Sequence, residues 1–583
     1  MTTTTLSLQR NRGARRARRT PTRASLAAFE AKATLFRLRR SLVELGRAPP
    51  RLAQREGAAG AAGYDHVVAQ SVTGLWTDPA LSEQAMQLGK VQNLRRAAAA
   101  LDGLELPAGA VFSFWRQVGR ATRRRGFVRG RMLREGCLVP ASGGGLCQLS
   151  NALYDVALAA GCRIVERHAH SARVPGSAAA EDRDATVAWN YVDLRFAAPA
   201  AMRLGVRLSD RDLVVSLRSS TPLVAAAPGA AAASPALRRE AASCGACDET
   251  TCVLHEGGGR TVAQSGRRAF LVDEAWPEFR DYVGAERDAG DLICAPDFRR
   301  WSAEGFAAHI AATPQGFARS LGWRLTPPQG AARRTADAAA TAAIAAALAR
   351  RLPVDATELV VAQSLLPALW QAGALGGRRF SVLMTRLPIA VLQARLDAAF
   401  AAHPDRPTLA DYRADPRLAA AEAEALAAAA AVVTPHAEIA ALFGERARRL
   451  GWAMPSPPNT APARGDVFAF PGPTVARKGA YELREAARRL GVRLRPLGAE
   501  LEGSGFWQGV ALEPAPPGAA WLEGVRAVVH PALAEGAPRR LLEALAAGVP
   551  VITTTAAGIA RRPGLTLVPM GDIAALVAAM AGA

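Results

Sequence analysis

"VVHPALAEGAPRRLLEALAAGVPVITT", residues 528–554, reads strand, loop, helix, strand in one short span. Two apolar runs joined through a helix are the unit of a parallel sheet, because parallel strands need a crossover connection. Working outward, "FAFPGPTVARKGAYELREAARRLG" (468–491) repeats the strand, glycine loop and helix. Further upstream, from about Ala269, short apolar runs such as "ELVVAQSLL", "FSVLMT" and "AAVVTP" alternate with helical segments. The second half of the chain is therefore expected to be a pair of parallel α/β lobes, 261–455 and 467–583, separated by the linker "SPPNTAPARGD" (456–466).

Within the last lobe, one feature points to phosphate chemistry and a pair of glutamates accompanies it. Lys478 lies at the start of a helix that follows a glycine loop, where backbone N–H groups and charge can receive a pyrophosphate. Glu535 and Glu543 flank Gly536 and Pro538 at the start of the next helix. Together these stretches resemble the C-terminal lobe of retaining GT-B glycosyltransferases of the group 1 type. The resemblance implies that Lys478 contacts donor phosphates, that Glu535 lies at the donor sugar, that Glu543 reaches the nucleotide ribose, and that Gly472 and Gly536 belong to the donor-binding loops. It also implies a nucleotide-sugar as substrate. The sequence departs from that family in having Gly472-Pro473 where Gly-Arg is usual, and His530-Pro531 where a serine is usual. "VVTPHAEIAALFG" resembles the last strand–helix unit of an acceptor lobe, with His436 at its helix start.

Residues 64–220 alternate helix and strand signals and are expected to form a mixed α+β domain. Its end, "LGVRLSDRDLVVSLRS", reads as a hairpin around a polar turn. Its most pointed segment is "GGGLCQLSNALYDVALAAG" (143–161). Leu149, Leu153, Val156 and Ala160 share one helix face, which places Cys147 near the N-terminus, where free N–H groups and the helix dipole favour a thiolate. The glycines before it allow positive φ and close approach. "RIVERHAHS" reads as the next strand and puts Glu166, His168 and His170 on one face; "DATVAWNYVDLRF" reads as a further strand that brings Asp184 and Asp193. Cys147, His168 or His170, and Asp184 are thus candidates for a nucleophile, base and orienter. The same residues would also serve as a buried thiol with hydrogen-bonded core histidines. The stretches "GKVQNL", "FSFWRQVG", "RRGF", "GGGLCQLSNALYDVAL", "VERHAHS" and "DATVAWNYVDLRF" resemble the VanW family, a resemblance that implies a site without implying a reaction.

Between the two halves, "TPLVAAAPGAAAASPALRRE" within 221–243 reads as an Ala/Pro linker. "CGACDETTCVLH" then sets Cys244, Cys247, Cys252 and His255 in a C-x2-C-x4-C-x2-H array, within a connector at 244–260. Three thiolates and an imidazole suit tetrahedral zinc, and a structural zinc clip is expected here.

The chain carries 72 Lys and Arg against 51 Asp and Glu, a formal charge of +21, and much of the excess is Arg in an Ala-rich background. Residues 1–24 form a basic arm expected to be disordered, with no apolar core of a secretory signal. That arm suits peripheral contact with an anionic membrane; it has no aromatic interleaving or motif for nucleic acid. Residues 25–63 are a helical lead-in, amphipathic over 25–47. No stretch approaches a bilayer span. Seven cysteines, an odd number, argue against a disulfide framework.

The combined expectation is a bacterial protein with a VanW-like domain joined to a glycosyltransferase-like GT-B module. Its expected activity is transfer of a sugar from a nucleotide-sugar to a cell-envelope glycan or lipid-linked acceptor, in the cytoplasm or at the inner face of the membrane. The alternative is a non-catalytic or Cys-thiol-dependent cell-wall or antibiotic-resistance accessory factor whose GT-B module only binds.

Overall fold

The structure is a computed structural model. It describes residues 21–54, 63–78, 80–134, 137–170, 183–223, 242–243, 252–253, 266–297, 301, 304–326, 331–411, 413–458, 460–516 and 518–583. Three bodies follow one another, and each has its own core.

A helix opens the described chain, Arg23–Val43, started by a capping box in which Thr22 and Ser25 satisfy each other's backbone N–H. The first domain is built on a four-stranded antiparallel sheet of His66–Gly74, Asp212–Ser219, Met202–Leu208 and Leu104–Leu106, in that order. The expected hairpin is present: Met202–Leu208 pairs with Asp212–Ser219 around the polar turn. Leu213, Val215 and Leu217 alternate inward from that hairpin. They meet two helices, Leu81–Leu101 and Leu146–Ala159, whose inner faces include Leu94, Leu101, Leu149 and Leu153. A three-stranded sheet of Val111–Ser113, Arg195–Ala197 and Arg163–Glu166 and a hairpin of Arg129–Arg134 with Cys137–Ser142 complete the domain. Ala242–Ser243, at the end of the expected linker, runs parallel to Cys137–Leu138, so that linker is not wholly unpacked.

The two lobes are the parallel α/β bodies expected. The first sheet orders its strands 308–311, 292–295, 267–271, 356–362, 379–383, 431–434 and 447–449. The second orders them 511–512, 493–496, 467–470, 525–530, 551–553 and 565–567. Every pairing in both is parallel. Near-continuous apolar strands such as Val467–Phe470, buried at every residue, are what a sheet covered on both faces requires. In each lobe the chain starts in the middle, builds outward to one side, then returns to build the other. This leaves a switch point between 267–271 and 356–362, and another between 467–470 and 525–530.

The bodies are docked by named contacts. Arg95 of the first domain donates to the Gly376 carbonyl at 2.6 Å, the Gly377 N–H to the Ser209 carbonyl at 2.9 Å, and Arg207 pairs with Glu424 at 3.0 Å. Gly377 has φ +68°, and a Cβ there would lie 2.5 Å from Val91 Cγ1, so the contact requires glycine. Between the lobes, Arg406 pairs with Glu482 at 2.5 Å, Arg395 donates to the Leu533 carbonyl at 3.0 Å, and Arg539 pairs with Glu278. Among the described residues no helix is long and apolar enough to cross a membrane.

Candidate functional site

Two sites emerge, one in the first domain and one between the lobes. The first answers why three glycines precede Cys147. Gly143 and Gly145 sit at φ +77° and +96°, and Gly145 caps the helix Leu146–Ala159 in the left-handed region. A Cβ on Gly144 would meet the Gly130 carbonyl at 2.2 Å, and one on Gly145 the Lys90 side chain at 2.2 Å. The turn is therefore wedged between the Arg129–Arg134 strand and the Leu81–Leu101 helix. Asn93 pins it, donating to the Val128 and Gly144 carbonyls at 3.0 and 2.9 Å. The tightness of this packing delivers Cys147 to a defined place at the helix start.

The partner loop is clamped to the same helix. Ser150 donates to the Ala185 carbonyl at 2.6 Å, and Asn151 accepts from the Ala185 N–H at 2.8 Å. That fixes Asp184, which accepts from the His170 backbone N–H at 2.5 Å and faces His170 Nδ1 at 2.5 Å. His170 is hydrogen-bonded in turn to the Cys147 side chain, and Thr186 Oγ1 lies 3.6 Å from the sulfur. With Nδ1 on Asp184, the ring leaves Nε2 for the thiol.

The electrostatics follow from this geometry. Burial, the largest single influence, pushes the Cys147 thiol up. The His170 charge and hydrogen bond, with the Val187 N–H and Thr186 hydroxyl, outweigh it and bring the thiol below its ordinary value. Burial likewise disfavours the imidazolium, yet Cys147 and Asp184 raise His170 to about 10. Cys147 and His170 thus each favour the other's charged form, thiolate and imidazolium. By contrast, burial pushes Cys162 and Cys294 up to about 12.

Cys147, His170 and Asp184 line a cavity of about 710 Å³. Phe29, Glu30 and Arg37 of the helix Arg23–Val43 form part of its wall. That helix is held by Arg37 on the Trp189 carbonyl at 3.1 Å, by Phe36 stacked on Tyr191, and by Arg40 on Glu166 at 2.5 Å. Its opposite face leaves Leu35, Leu38 and Leu42 exposed.

Three expectations about this region change. The strand Arg163–Glu166 ends where Glu166 turns to Arg40, and the residues beyond it do not alternate. His168 faces Glu166 at 3.3 Å with its side chain half exposed, outside the thiol site. "DATVAWNYVDLRF" is a strand only from Arg195; Asp193 instead receives Ser113 Oγ at 2.6 Å and the Trp115 N–H at 3.1 Å, a packing role. Lys90 was not anticipated. It is buried on the cavity wall, its Nζ 3.5 Å from Thr77 Oγ1, and burial followed by Arg131 lowers its pKa to about 7. The signal was present in "GKVQNL", which supplies both Lys90 and Asn93.

The second site lies at the switch point of the second lobe. Ligands in open α/β sheets bind there, outside the carboxyl ends of the strands. Lys478, after the strand Val467–Phe470, reaches Glu535 Oε2 at 2.6 Å and the Ala534 carbonyl at 3.3 Å. His530, the last residue of Val525–His530, places Nε2 2.9 Å from the same carboxylate oxygen, and Ala537 N–H donates to the other at 2.9 Å. Burial would raise Glu535, but Lys478 and His530 hold it well below the usual carboxylate range. Burial lowers Lys478 and His530. Gly472 sits against this cluster, where a Cβ would lie 3.3 Å from the His530 ring and 3.5 Å from Lys478.

The switch point of the first lobe faces it. Asp273, after the strand Arg267–Leu271, is held by Arg319 at 2.9 and 2.6 Å and by Ser364 at 2.9 Å. A Cβ on Gly536 would lie 2.6 Å from Arg386 Cγ of the first lobe. His436 caps its helix, accepting from Ile439 N–H, and its Nε2 meets the Glu535 carbonyl at 3.0 Å across the cleft. Glu543, half-buried, stands on the helix Arg539–Ala546 beyond the loop.

The expected zinc array is not supported. Cys244, Cys247 and His255 lie outside the described residues, and among the described residues no group of His, Cys, Asp and Glu could hold a metal ion. Cys252 is described there as a free thiol.

Comparison with known proteins assigns both regions. A family model described as "VanW like protein" matches residues 89–218, and one described as "Glycosyl transferases group 1" matches residues 494–583. The first domain is VanW-like, and the second lobe is of the group 1 glycosyl transferase type. The VanW-like domain is 38% identical over 112 residues to the vancomycin B-type resistance protein VanW of Enterococcus faecalis, covering 19% of this chain and 41% of that protein. It is 36% identical over 104 residues to the uncharacterized protein YoaR of Bacillus subtilis, covering 18% of this chain and 34% of that one. The chain therefore spans less than half the length of the curated relatives it matches. Among solved structures, the sucrose-phosphate synthase of Thermosynechococcus elongatus is similar at 14% identity and a TM-score of 0.37, over 54% of this chain and 89% of that one. The two facing lobes are Rossmann-like parallel α/β bodies.

Proposed function

We propose that the GT-B module transfers a sugar from a nucleotide-sugar to an acceptor, with retention at the anomeric carbon. One observation carries this reading: Lys478, His530 and Glu535 converge at the second lobe's switch point, against the first lobe. In this reading Lys478 and the N–H groups opening the helix Ala480–Leu490 receive the donor diphosphate, and Gly472 and Gly536 let it approach. The bond from the anomeric carbon to the diphosphate oxygen breaks, and the acceptor oxygen takes its place. The charge that gathers on the leaving diphosphate is met by Lys478. Glu535 addresses the donor sugar and Glu543 the ribose hydroxyls. The acceptor is a cell-envelope glycan or lipid-linked glycan. The reaction is placed in the cytoplasm or at the inner membrane face, with the basic arm, whose first twenty residues lie outside the described ones, touching anionic lipid.

A second reading has its own observation. Lys478 is engaged by Glu535, and Gly472-Pro473 stands where the family usually has an arginine. In that reading the module binds a nucleotide or glycan without turnover. A thermal-shift screen against UDP-, GDP- and ADP-sugars, followed by product analysis, separates the two. One nucleotide class raising the melting point with sugar release supports transfer; binding without release supports the second reading. If no nucleotide-sugar shifts the melting point, transfer is wrong and so is nucleotide binding in the second reading.

A further inference from the structure

We propose that the VanW-like domain is itself an acyl-transfer enzyme, with Cys147 as nucleophile and His170 as acid and base, acting on amides or esters of carboxylate-bearing acyl groups such as short acidic peptides. Three independent observations meet here. The Cys147, His170 and Asp184 side chains are linked in series, in the order nucleophile, base, orienter. The sulfur stands at the start of a 14-residue helix, where the Leu146 and Cys147 N–H groups precede the first bond of the helix, Gln148 N–H to the Gly145 carbonyl, and can receive an oxyanion. The three groups open onto a cavity of about 710 Å³, a size that takes a small ligand rather than a packing defect.

The wall of that cavity specifies the acyl group. Arg37, Lys90, Arg120, Arg131, Arg134 and Arg183 line it, against three acids. Each acid is already paired: Glu30 with Arg134, Asp155 with Arg183, and Asp184 with His170. Arg131 is paired as well, with Asp78 and Glu83, so the unbalanced charge falls to Arg120 and to Lys90, a buried amine with a pKa of about 7 whose hydroxyl neighbour, at 3.5 Å, is too distant for a strong bond. An anionic substituent on the substrate would complement it.

The step balances without any oxidant or metal. The Cys147 thiolate attacks the carbonyl carbon, forming the C–S bond and an oxyanion. As the oxyanion collapses, the C–N or C–O bond to the leaving group breaks, and His170 gives that group its Nε2 proton. The thioester is then attacked by water or an amine, which yields its proton to His170 as the C–S bond breaks and the thiolate returns. Asp184 is a positioning residue that holds the imidazole in this orientation.

The test uses the full-length protein with two activated esters, 4-nitrophenyl hydrogen succinate and 4-nitrophenyl acetate. The expected result is a burst of nitrophenolate and one succinyl adduct per chain, mapped to Cys147 and discharged by hydroxylamine. The succinyl ester should react about tenfold faster or more, the effect of one charge-assisted contact. Lys90→Met should reduce that preference towards unity. Cys147→Ser and His170→Gln should abolish the burst, with melting curves showing that they fold. Asp184→Asn should move the acidic limb of the pH–rate profile to higher pH, an effect that loss of packing alone would not give; it carries the test should His170→Gln fail to fold. An adduct on Cys162, Cys294 or scattered lysines, or a burst that survives in folded His170→Gln, overturns acyl transfer. Equal rates for the two esters overturn the recognition of an anionic acyl group.

Discussion

Replacing Glu535 by glutamine should weaken the second lobe and at the same time strengthen its grip on nucleoside diphosphates. Its carboxylate receives Lys478 at 2.6 Å, His530 at 2.9 Å and the Ala537 N–H at 2.9 Å, and the Lys478 and Glu535 side chains are only 14% and 13% exposed. Removing one member of such a buried pair leaves the other without a counter-charge, at a cost of about 3–5 kcal/mol. In free Glu535→Gln protein the second lobe should therefore melt earlier, and Lys478, already lowered by burial, should lose its proton more readily. A diphosphate supplies the missing negative charge. In the wild type it must displace Glu535 from Lys478; in Glu535→Gln it need not. Relief of one charge-assisted hydrogen bond, about 1.5–3 kcal/mol, raises diphosphate affinity by about tenfold or more. Nucleosides without phosphate should bind both proteins equally. Calorimetric titration with UDP, GDP and ADP, beside melting curves with and without ligand, measures each quantity. Sugar transfer should fall even as the product diphosphate binds better. If Glu535→Gln melts at the wild-type temperature and binds diphosphates more weakly, Glu535 does not restrain Lys478 and the reasoning fails.

Glu543→Gln should weaken nucleotide binding about tenfold or more through loss of charge-assisted bonds to ribose, with little change in melting; unchanged affinity would remove Glu543 from the donor site. Alkylation of Cys147 by iodoacetamide should persist below the ordinary thiol range while Cys162 stays unreacted, and equal labelling of the two would return Cys147 to a packing role. The raised His170 pKa gives a second pH signature. Its contribution to stability is full below the ordinary histidine value and is lost as pH rises through about 10, so the first domain's melting point should fall across that interval less steeply in His170→Gln. Gly377→Val forces a branched side chain to φ +68° and against Val91, costing about 2 kcal/mol or more. Hydrogen exchange in residues 89–96 and 373–378 should quicken together; quickening in only one segment would show that the docking does not depend on Gly377.

The parallel lobes were legible because strand, loop and helix follow one another within a few residues, and each period is local. The glycine turn before Cys147 was legible for the same reason. What the sequence left open was which histidine serves the thiol. Alternation treats His168 and His170 alike, and the choice depends on Glu166 being drawn to Arg40, a residue 126 positions earlier. The Asp184 loop reads as part of a strand, while Ser150 and Asn151 of another element hold it in its actual shape. Lys90 reads as a helix lysine of no consequence until the Arg129–Arg134 hairpin and Gly145 close over it. Glu535 was identified by its position in a motif, but its capture of Lys478 arises only when two strands far apart in sequence become neighbours at the switch point.

The seam at Gly377 and Arg95 has a kinematic consequence. Because the first domain is keyed into the first lobe there, a separation of the two lobes would leave that seam intact. Separating the lobes must release Arg539 from Glu278, Arg406 from Glu482 and Arg395 from the Leu533 carbonyl, yet it disturbs no contact of the glycine turn or of Cys147. A donor could therefore enter and leave the cleft on each cycle while the thiol cavity keeps its shape. Two reaction centres on one chain would share a chassis but run on separate clocks.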